Sequence, residues 1–267
     1  MSKYSYGYIP DVPDSRDLGM HSFMLSASKP MVDKLPPSVD EESNCPGVVD
    51  QGNLGSCTAN SAYCMRGHIY RTQLPYEKHK DIAPSDFDIS RLYVYYRERE
   101  TEGSLPQDSG AQLRTICKVL NQFGACMESE MPYITANYNL APTPDQTANA
   151  YNYHAGAYHR ISTVQDMKAC LASGYVFAMG FQVYESFESD NVANTGIMPM
   201  PKTNQEQFLG GHAVCVIGYD DNKGVFKVRN SWGSGWGIRG NFLMSYDIAA
   251  SPIVHDRWIQ HLAGPWK

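Results

Sequence analysis

Four residues far apart in the chain could share one reaction. Cys57 follows the glycine-containing loop DQGNLGSC and stands at the first turn of CTANSAYCMRGHIYR, where Ala59, Ala62, Met65 and Ile69 fall at helical spacing. A helix N-terminus presents unpaired N–H groups and partial positive charge. Both favour a thiolate over a thiol. Gln51 lies shortly upstream, in the loop that must fold back beside Cys57. Its amide, with the backbone N–H of Cys57, could hold a developing oxyanion, and losing one such donor typically costs about 3–4 kcal/mol of barrier. His212 opens the apolar run HAVCVIGY after two glycines, and Asn230 ends the run KVRN before SWGSGWG. If those runs pair, the Asn230 oxygen can accept a hydrogen bond from the imidazole and fix its tautomer. An indole beside it, Trp232, would keep water off that bond. Singly, each residue has a plainer reading: a core cysteine, a structural histidine, a turn. Together they are a nucleophile, a base, an orienting amide and an oxyanion donor, the parts needed for acyl transfer through a thioester.

The elements that must position them are α-rich first and β-rich later. A second helix is expected near 110–123, striped by Leu113, Ile116, Cys117, Leu120 and Phe123, with Asp108 or Ser109 as cap and Gly124 as stop. A third is expected over roughly 164–173, between Ser162 or Thr163 and Gly174. YVFAMGFQ, HAVCVIGY, VFKVRN and FLMSY read as strands, and the turn DDNKG joins the second and third as a hairpin. This order predicts an α+β fold. Residues 1–34, with IPDVPDSRD, read as an extended arm before a domain spanning 35–267. Within that domain the helical part is expected over roughly 45–136 and the strand-rich part over roughly 150–247, with NYNLAPTPDQT crossing between them.

Composition narrows the function. The net charge of -6, with no basic stripe, argues against nucleic acid as a partner. No run approaches the roughly 18 apolar residues of a membrane helix, so no membrane partner is expected. MSKYSYGYIP has no apolar signal-peptide core. The seven cysteines form no CxxC pair, which argues against a zinc site or a thioredoxin-type motif. Cys64, Cys117 and Cys215 sit in apolar runs and read as core residues; the pairing of Cys45, Cys126 and Cys170 is left open. Neither a metal nor an organic cofactor is called for.

In their order and approximate spacing, QGNLGSC, GHAVCVIGY and RNSWGSGWGIRGNF resemble the motifs of the papain-like (cathepsin-type) cysteine peptidases. LPPSVD resembles the start of that family's mature domain, and PQDSGAQLRTICKVLNQFGACMESEMPY its substrate-binding wall, so the likeness spans about residues 35–247. The resemblance implies two lobes, one helical and one β-barrel-like, with a cleft between them. It implies a Cys57–His212 thiolate–imidazolium pair, Gln51 as oxyanion donor, Asn230 orienting His212 and Trp232 shielding them. By the same carry-over Ser109 and Gly110 offer backbone to an extended substrate, and Met179 or Gly211 lines the pocket for its second side chain. The implied activity is hydrolysis of peptides or proteins, as an endopeptidase. Transpeptidation on the same site and an inactive peptide-binding homologue are the alternatives. Leu54 stands where the family usually has a bridging cysteine, with Asp108 near its partner's place, Thr58 replaces the usual Trp, and Gly211 the frequent Asp or Asn. A bridge-poor member fits a reducing compartment. GYIPDVPDSRD resembles an arm found in divergent members, and an arm lying along the cleft to restrain activity is the expectation it raises, with a strap that merely staples the lobes as the other.

Overall fold

The apolar periodicities become helices in the first half of the chain and strands in the second. The computed structural model describes residues 2–20, 22, 34–73 and 88–262. In chain order these form β1 (Tyr8–Ile9), β2 (Ser38–Asp40), α1 (Cys57–Gln73), α2 (Arg91–Glu102), β3 (Ala111–Gln112), α3 (Leu113–Gln122), α4 (Pro144–Tyr151) and β4 (Ala155–Arg160). There follow α5 (Val164–Ala172), β5 (Phe177–Tyr184), α6 (Asp190–Thr195), β6 (Phe208–Asp220), β7 (Val225–Arg229), β8 (Asn241–Ser245), α7 (Tyr246–Ala250) and β9 (Val254–Leu262).

Helix α1 is buried on all sides from Cys57 to Tyr70, which its small residues permit. It runs straight through Gly67, where a Cβ would come within 2.7 Å of Pro46. Helix α5 starts on a capping box between Thr163 and Asp166, as its sequence promised. Helix α3 does not begin as expected. Its N-cap is Gln112, without a side-chain bond, and neither Asp108 nor Ser109 caps it. The Asp108 carboxylate instead accepts the Gly55 N–H, at 3.1 Å to each oxygen, and the Tyr95 hydroxyl. A charged hydrogen bond thus ties the loop before Cys57 to the loop before β3, where the family resemblance would place a disulfide. The stretch read as a crossing between lobes holds helix α4. Thr143 and Gln146 form its capping box and Pro144 occupies its first turn, where a missing N–H costs nothing.

Strands β1 and β3 form a short parallel pair, and the other seven make one sheet in the order β4-β9-β5-β6-β7-β8, with β2 on β6 and every pair within it antiparallel. It is an open sheet and not a closed barrel. Strand β9 sits inside it, beyond residue 247 where the strand-rich part was expected to end. Its charged Asp256 and Arg257 are both buried, so hydropathy conceals the strand. All seven cysteines are buried free thiols.

Thr58 donates to the Glu98 carboxyl of α2 at 2.9 Å. The other Glu98 oxygen is buried without a partner, and burial raises this carboxyl well above its ordinary value of 4.5. The folded protein therefore keeps a proton that the unfolded chain releases, and stability falls as pH rises above that ordinary value. Glu98→Gln is expected to melt with the parent near about pH 4 and several degrees above it near about pH 8. Thermal denaturation at the two pH values checks this; an equal gap at both would show that ionisation of Glu98 is not the cause.

Candidate active site

Cys57 is the first residue of α1, and its sulfur accepts backbone hydrogen bonds from Ala213, Gly7 and Thr58. His212 lies on β6 and Asn230 directly follows β7, its antiparallel neighbour. The hairpin brings His212 Nε2 to 2.8 Å from Asn230 Oδ1. That oxygen also accepts the Ser231 N–H at 2.8 Å, so the amide is held with its oxygen toward the ring. The tautomer this implies carries the proton on Nε2 and leaves the Nδ1 lone pair free. Nδ1 is buried and has no hydrogen-bond partner. The Trp232 indole stacks over the imidazole with centroids 4.9 Å apart, and Phe181 meets it edge-on at 5.9 Å.

Gln51 is fully buried and locked in place. Its Oε1 accepts the Ser231 hydroxyl at 2.6 Å, and its Nε2 donates to Leu54 O at 3.0 Å. The same Nε2 donates to the Ser5 carbonyl at 3.1 Å. That carbonyl belongs to the N-terminal arm, which runs through the site. Tyr4 stacks on Trp232 with centroids 3.7 Å apart, and Tyr6 stands edge-on to His212 at 5.8 Å. The Tyr6 hydroxyl and Lys3 N–H donate to Glu188 at 2.5 and 2.8 Å. The Gly7 carbonyl accepts from Ala111 N–H at 2.7 Å, and β1 continues as a strand parallel to β3. Farther along, Trp258 Nε1 donates to Asp11 at 2.6 Å and Arg114 pairs with Asp17 at 2.7 Å. Glycines make the slot narrow enough: a Cβ on Gly110 would lie 2.0 Å from the Gly7 carbonyl oxygen, and one on Gly211 2.1 Å from that of Tyr8.

Under the arm both reacting groups are neutral. Burial pushes the Cys57 thiol up to about 12, against the pull of its backbone donors. Burial likewise brings His212 down to about 4, although the Asn230 bond works the other way. The thiolate–imidazolium pair implied by the resemblance is therefore not the covered state. The arm itself is badly placed for attack. Gln51 holds the carbonyl of Ser5 while the thiol meets the N–H of Gly7, so these contacts fall on different peptide groups.

Cys57, Gln51, His212, Trp232, Gly110 and Gly211 thus meet one stretch of extended chain, and Asn230 holds His212 in place. Ser109 and Met179 do not line it through their side chains. The Ser109 hydroxyl donates to Ser104 at 2.7 Å, and Ala111 supplies the N–H to the arm. Strand alternation sets Met179 on the opposite face of β5 from Gly180, where a Cβ would meet the Tyr8 ring at 2.2 Å. Gly180, Glu188 and Asp256, which also touch the arm, were not read from the sequence. A glycine inside the run FAMGFQ was the one available sign. Among the described residues no cluster of His, Cys, Asp and Glu is placed to hold a metal ion.

Residues 35–258 match the family model described as papain family cysteine protease. The chain is 36% identical, over 96% of its own length and 86% of the relative's, to an uncharacterized peptidase C1-like protein of Acanthamoeba polyphaga mimivirus. It is 27% identical to cysteine proteinase 1 of Entamoeba histolytica, over 82% of this chain and 68% of that protein. Among solved structures, xylellain, a cysteine protease from Xylella fastidiosa, superposes with a TM-score of 0.81 at 34% identity, covering 97% of this chain and 96% of that one. A procathepsin B from Trypanosoma congolense shares the fold at 18% identity, with a TM-score of 0.68 over 96% of this chain and 86% of that one.

Proposed function

The chain belongs to the papain family of cysteine proteases and is a cysteine peptidase, and from that premise we propose that it is an endopeptidase acting through a Cys57 thioester and held silent by its own first residues. The observation that carries the reading is the Ser5 carbonyl on the Gln51 amide. It sets a peptide C=O on the donor that a tetrahedral oxyanion would need. In the proposed sequence the arm lifts, water returns, and the Cys57 proton passes to His212 Nδ1. The thiolate attacks the substrate carbonyl, and Gln51 with the Cys57 N–H holds the oxyanion. The imidazolium protonates the leaving amine and then activates water to release the acid. Asn230 keeps Nε2 protonated throughout. An arm that enters beside Trp232 and leaves along β3 favours the internal-cleavage reading, because an extended chain passes through the cleft and beyond it on both sides.

Gln51→Ala is expected to lower kcat by about 10²–10³-fold with little change in KM, as loss of one oxyanion donor does elsewhere. Steady-state kinetics on a peptide cleaved between internal residues checks both the role and the endopeptidase assignment. A papain-directed epoxide inhibitor should label Cys57 in the reduced, folded protein. Failure of that labelling in protein freed of its arm would sink the mechanism.

A further inference from the structure

Three thiols that the proposed mechanism does not use meet where α1 packs on β6. Cys57 opens α1, and its sulfur takes a hydrogen bond from the Ala213 N–H of β6. Cys64 stands about two turns farther along α1, and Cys215 is the next residue on the Ala213 face of β6. Helix and strand therefore meet a second time at this pair. The two thiols are hydrogen-bonded to each other, and Cys45 is hydrogen-bonded to Cys64 as well. Cys64 and Cys215 also wall a cavity of about 10 Å³, room for one molecule of the size of water, which Arg229 and Asn230 border too. Arg229 pairs with Cys215 across the sheet. Its guanidinium donates to Pro46 O at 2.8 Å and to Asn241 Oδ1 at 2.7 Å, so a fixed cation lies beside the thiols. Hydrogen bonds from Cys215 and Cys45 hold Cys64 well below its ordinary value against the pull of burial, and the Arg229 charge helps. Burial, and then the bond to Cys64, keeps Cys215 protonated. The pair is thus one thiolate and one thiol in contact.

We propose that Cys64 and Cys215 are a modification site for hydroperoxides, which join them in a reversible disulfide that locks the nucleophile's helix to the base's strand. The Cys64 thiolate attacks one peroxide oxygen, the O–O bond breaks, and Cys64 becomes a sulfenic acid while hydroxide leaves. The Cys215 sulfur then attacks the Cys64 sulfur. The S–O bond breaks, and the departing hydroxide takes the Cys215 proton as water. In total two thiols are oxidised and one peroxide is reduced to two waters. The sulfurs start in contact, so bond formation asks for little movement of α1 or β6. The bond closes more than half of the chain into a ring, which restricts the unfolded state far more than the folded one. It also joins the two elements that carry Cys57 and His212, where Leu54 and Asp108 leave the chain without the family's usual bridge.

The test uses the full-length protein, treated with hydrogen peroxide in slight molar excess, unfolded in N-ethylmaleimide and digested without reductant. Peptide mass mapping should find Cys64 joined to Cys215, with both alkylated only after dithiothreitol. The oxidised protein should melt several degrees above the untreated protein, and dithiothreitol should reverse the rise. Cys57→Ala should show the same bond and the same rise, which keeps oxidation of the nucleophile out of the comparison. Cys215→Ala, set against its own untreated form, should show neither. If Cys64 and Cys215 are both alkylated after peroxide treatment, the proposal is overturned. A bond from Cys64 to Cys45 in place of Cys215 overturns it too, as does a Cys64–Cys215 bond that leaves the melting temperature where it was.

Discussion

Cys57→Ala will lower peptidase activity by about 10⁶-fold, measured in a background where the arm has been lifted so that autoinhibition does not mask the loss. The other groups cannot compensate. Gln51 and the residue 57 N–H can still hold an oxyanion, but none can form without the nucleophile. His212 loses the thiol whose proton it takes in the proposed mechanism, and activating a water in place of sulfur needs a different attack geometry. The fold should survive. Alanine removes one sulfur atom, and the Thr58 and Ala213 N–H groups that donate to it belong to α1 and the sheet. Circular dichroism and thermal melting should match the parent. Labelling provides a second readout: the epoxide adduct, located by peptide mass mapping, should vanish with this substitution. Cys117, Cys126 and Cys170 do not compete for it, since each is a buried thiol whose pKa burial raises. Residual activity within about a hundredfold of the parent would mean that another group is the nucleophile.

Much of this site was legible in the chain because its signals are local. A glycine loop running into a helical stripe places Cys57 at a helix head, and DDNKG between two β-rich runs brings Asn230 to His212. The ionisation state was not legible. A helix N-terminus favours an anion by about 0.3–1 kcal/mol, whereas full burial shifts a titratable group by up to about 3–5 pKa units. The larger effect wins at Cys57, where burial raises the thiol although three backbone N–H groups pull it down. Composition marked residues 1–34 as an extended arm. Where Tyr6 and Tyr8 go is decided by Glu188 and Asp256, roughly 180 and 250 positions away, which no local pattern announces. Asp256 was hidden twice over, by lying on β9, whose buried charges break strand alternation, and by pairing with Arg160. Asp108 was misread for a related reason. A carboxylate before a helix stripe looks like a cap, and only the folded loop shows that it holds Gly55 instead.

Gly7→Val will raise activity on a short peptide by about 10²-fold, because it evicts the arm without touching the peptidase residues. A Cβ on Gly7 would lie 1.6 Å from the Gly55 carbonyl oxygen. That contact cannot relax cheaply. Gly55 is held by Asp108, and the Gly7 carbonyl is held by Ala111. Both partners are backbone, so the arm must rise. With it go the Tyr4–Trp232 stack, the Ser5–Gln51 hydrogen bond and the Tyr8 hydroxyl on Asp256. Losing about 3 kcal/mol of docking corresponds to about a hundredfold in the open population. Asp17 on Arg114 anchors the chain farther along, so the fold keeps its strap while the cleft empties. Two independent readouts should move together. Water returning to the site relaxes the burial that holds Cys57 up and His212 down, so alkylation of Cys57 near pH 7 should quicken along with catalysis. Val12, on the same arm, is 66% exposed, and Val12→Ala should change neither. If the arm were only a strap, Gly7→Val would lower the melting temperature and leave activity and alkylation where they were. A rise in both, with Val12→Ala silent, is the result that a built-in inhibitor requires.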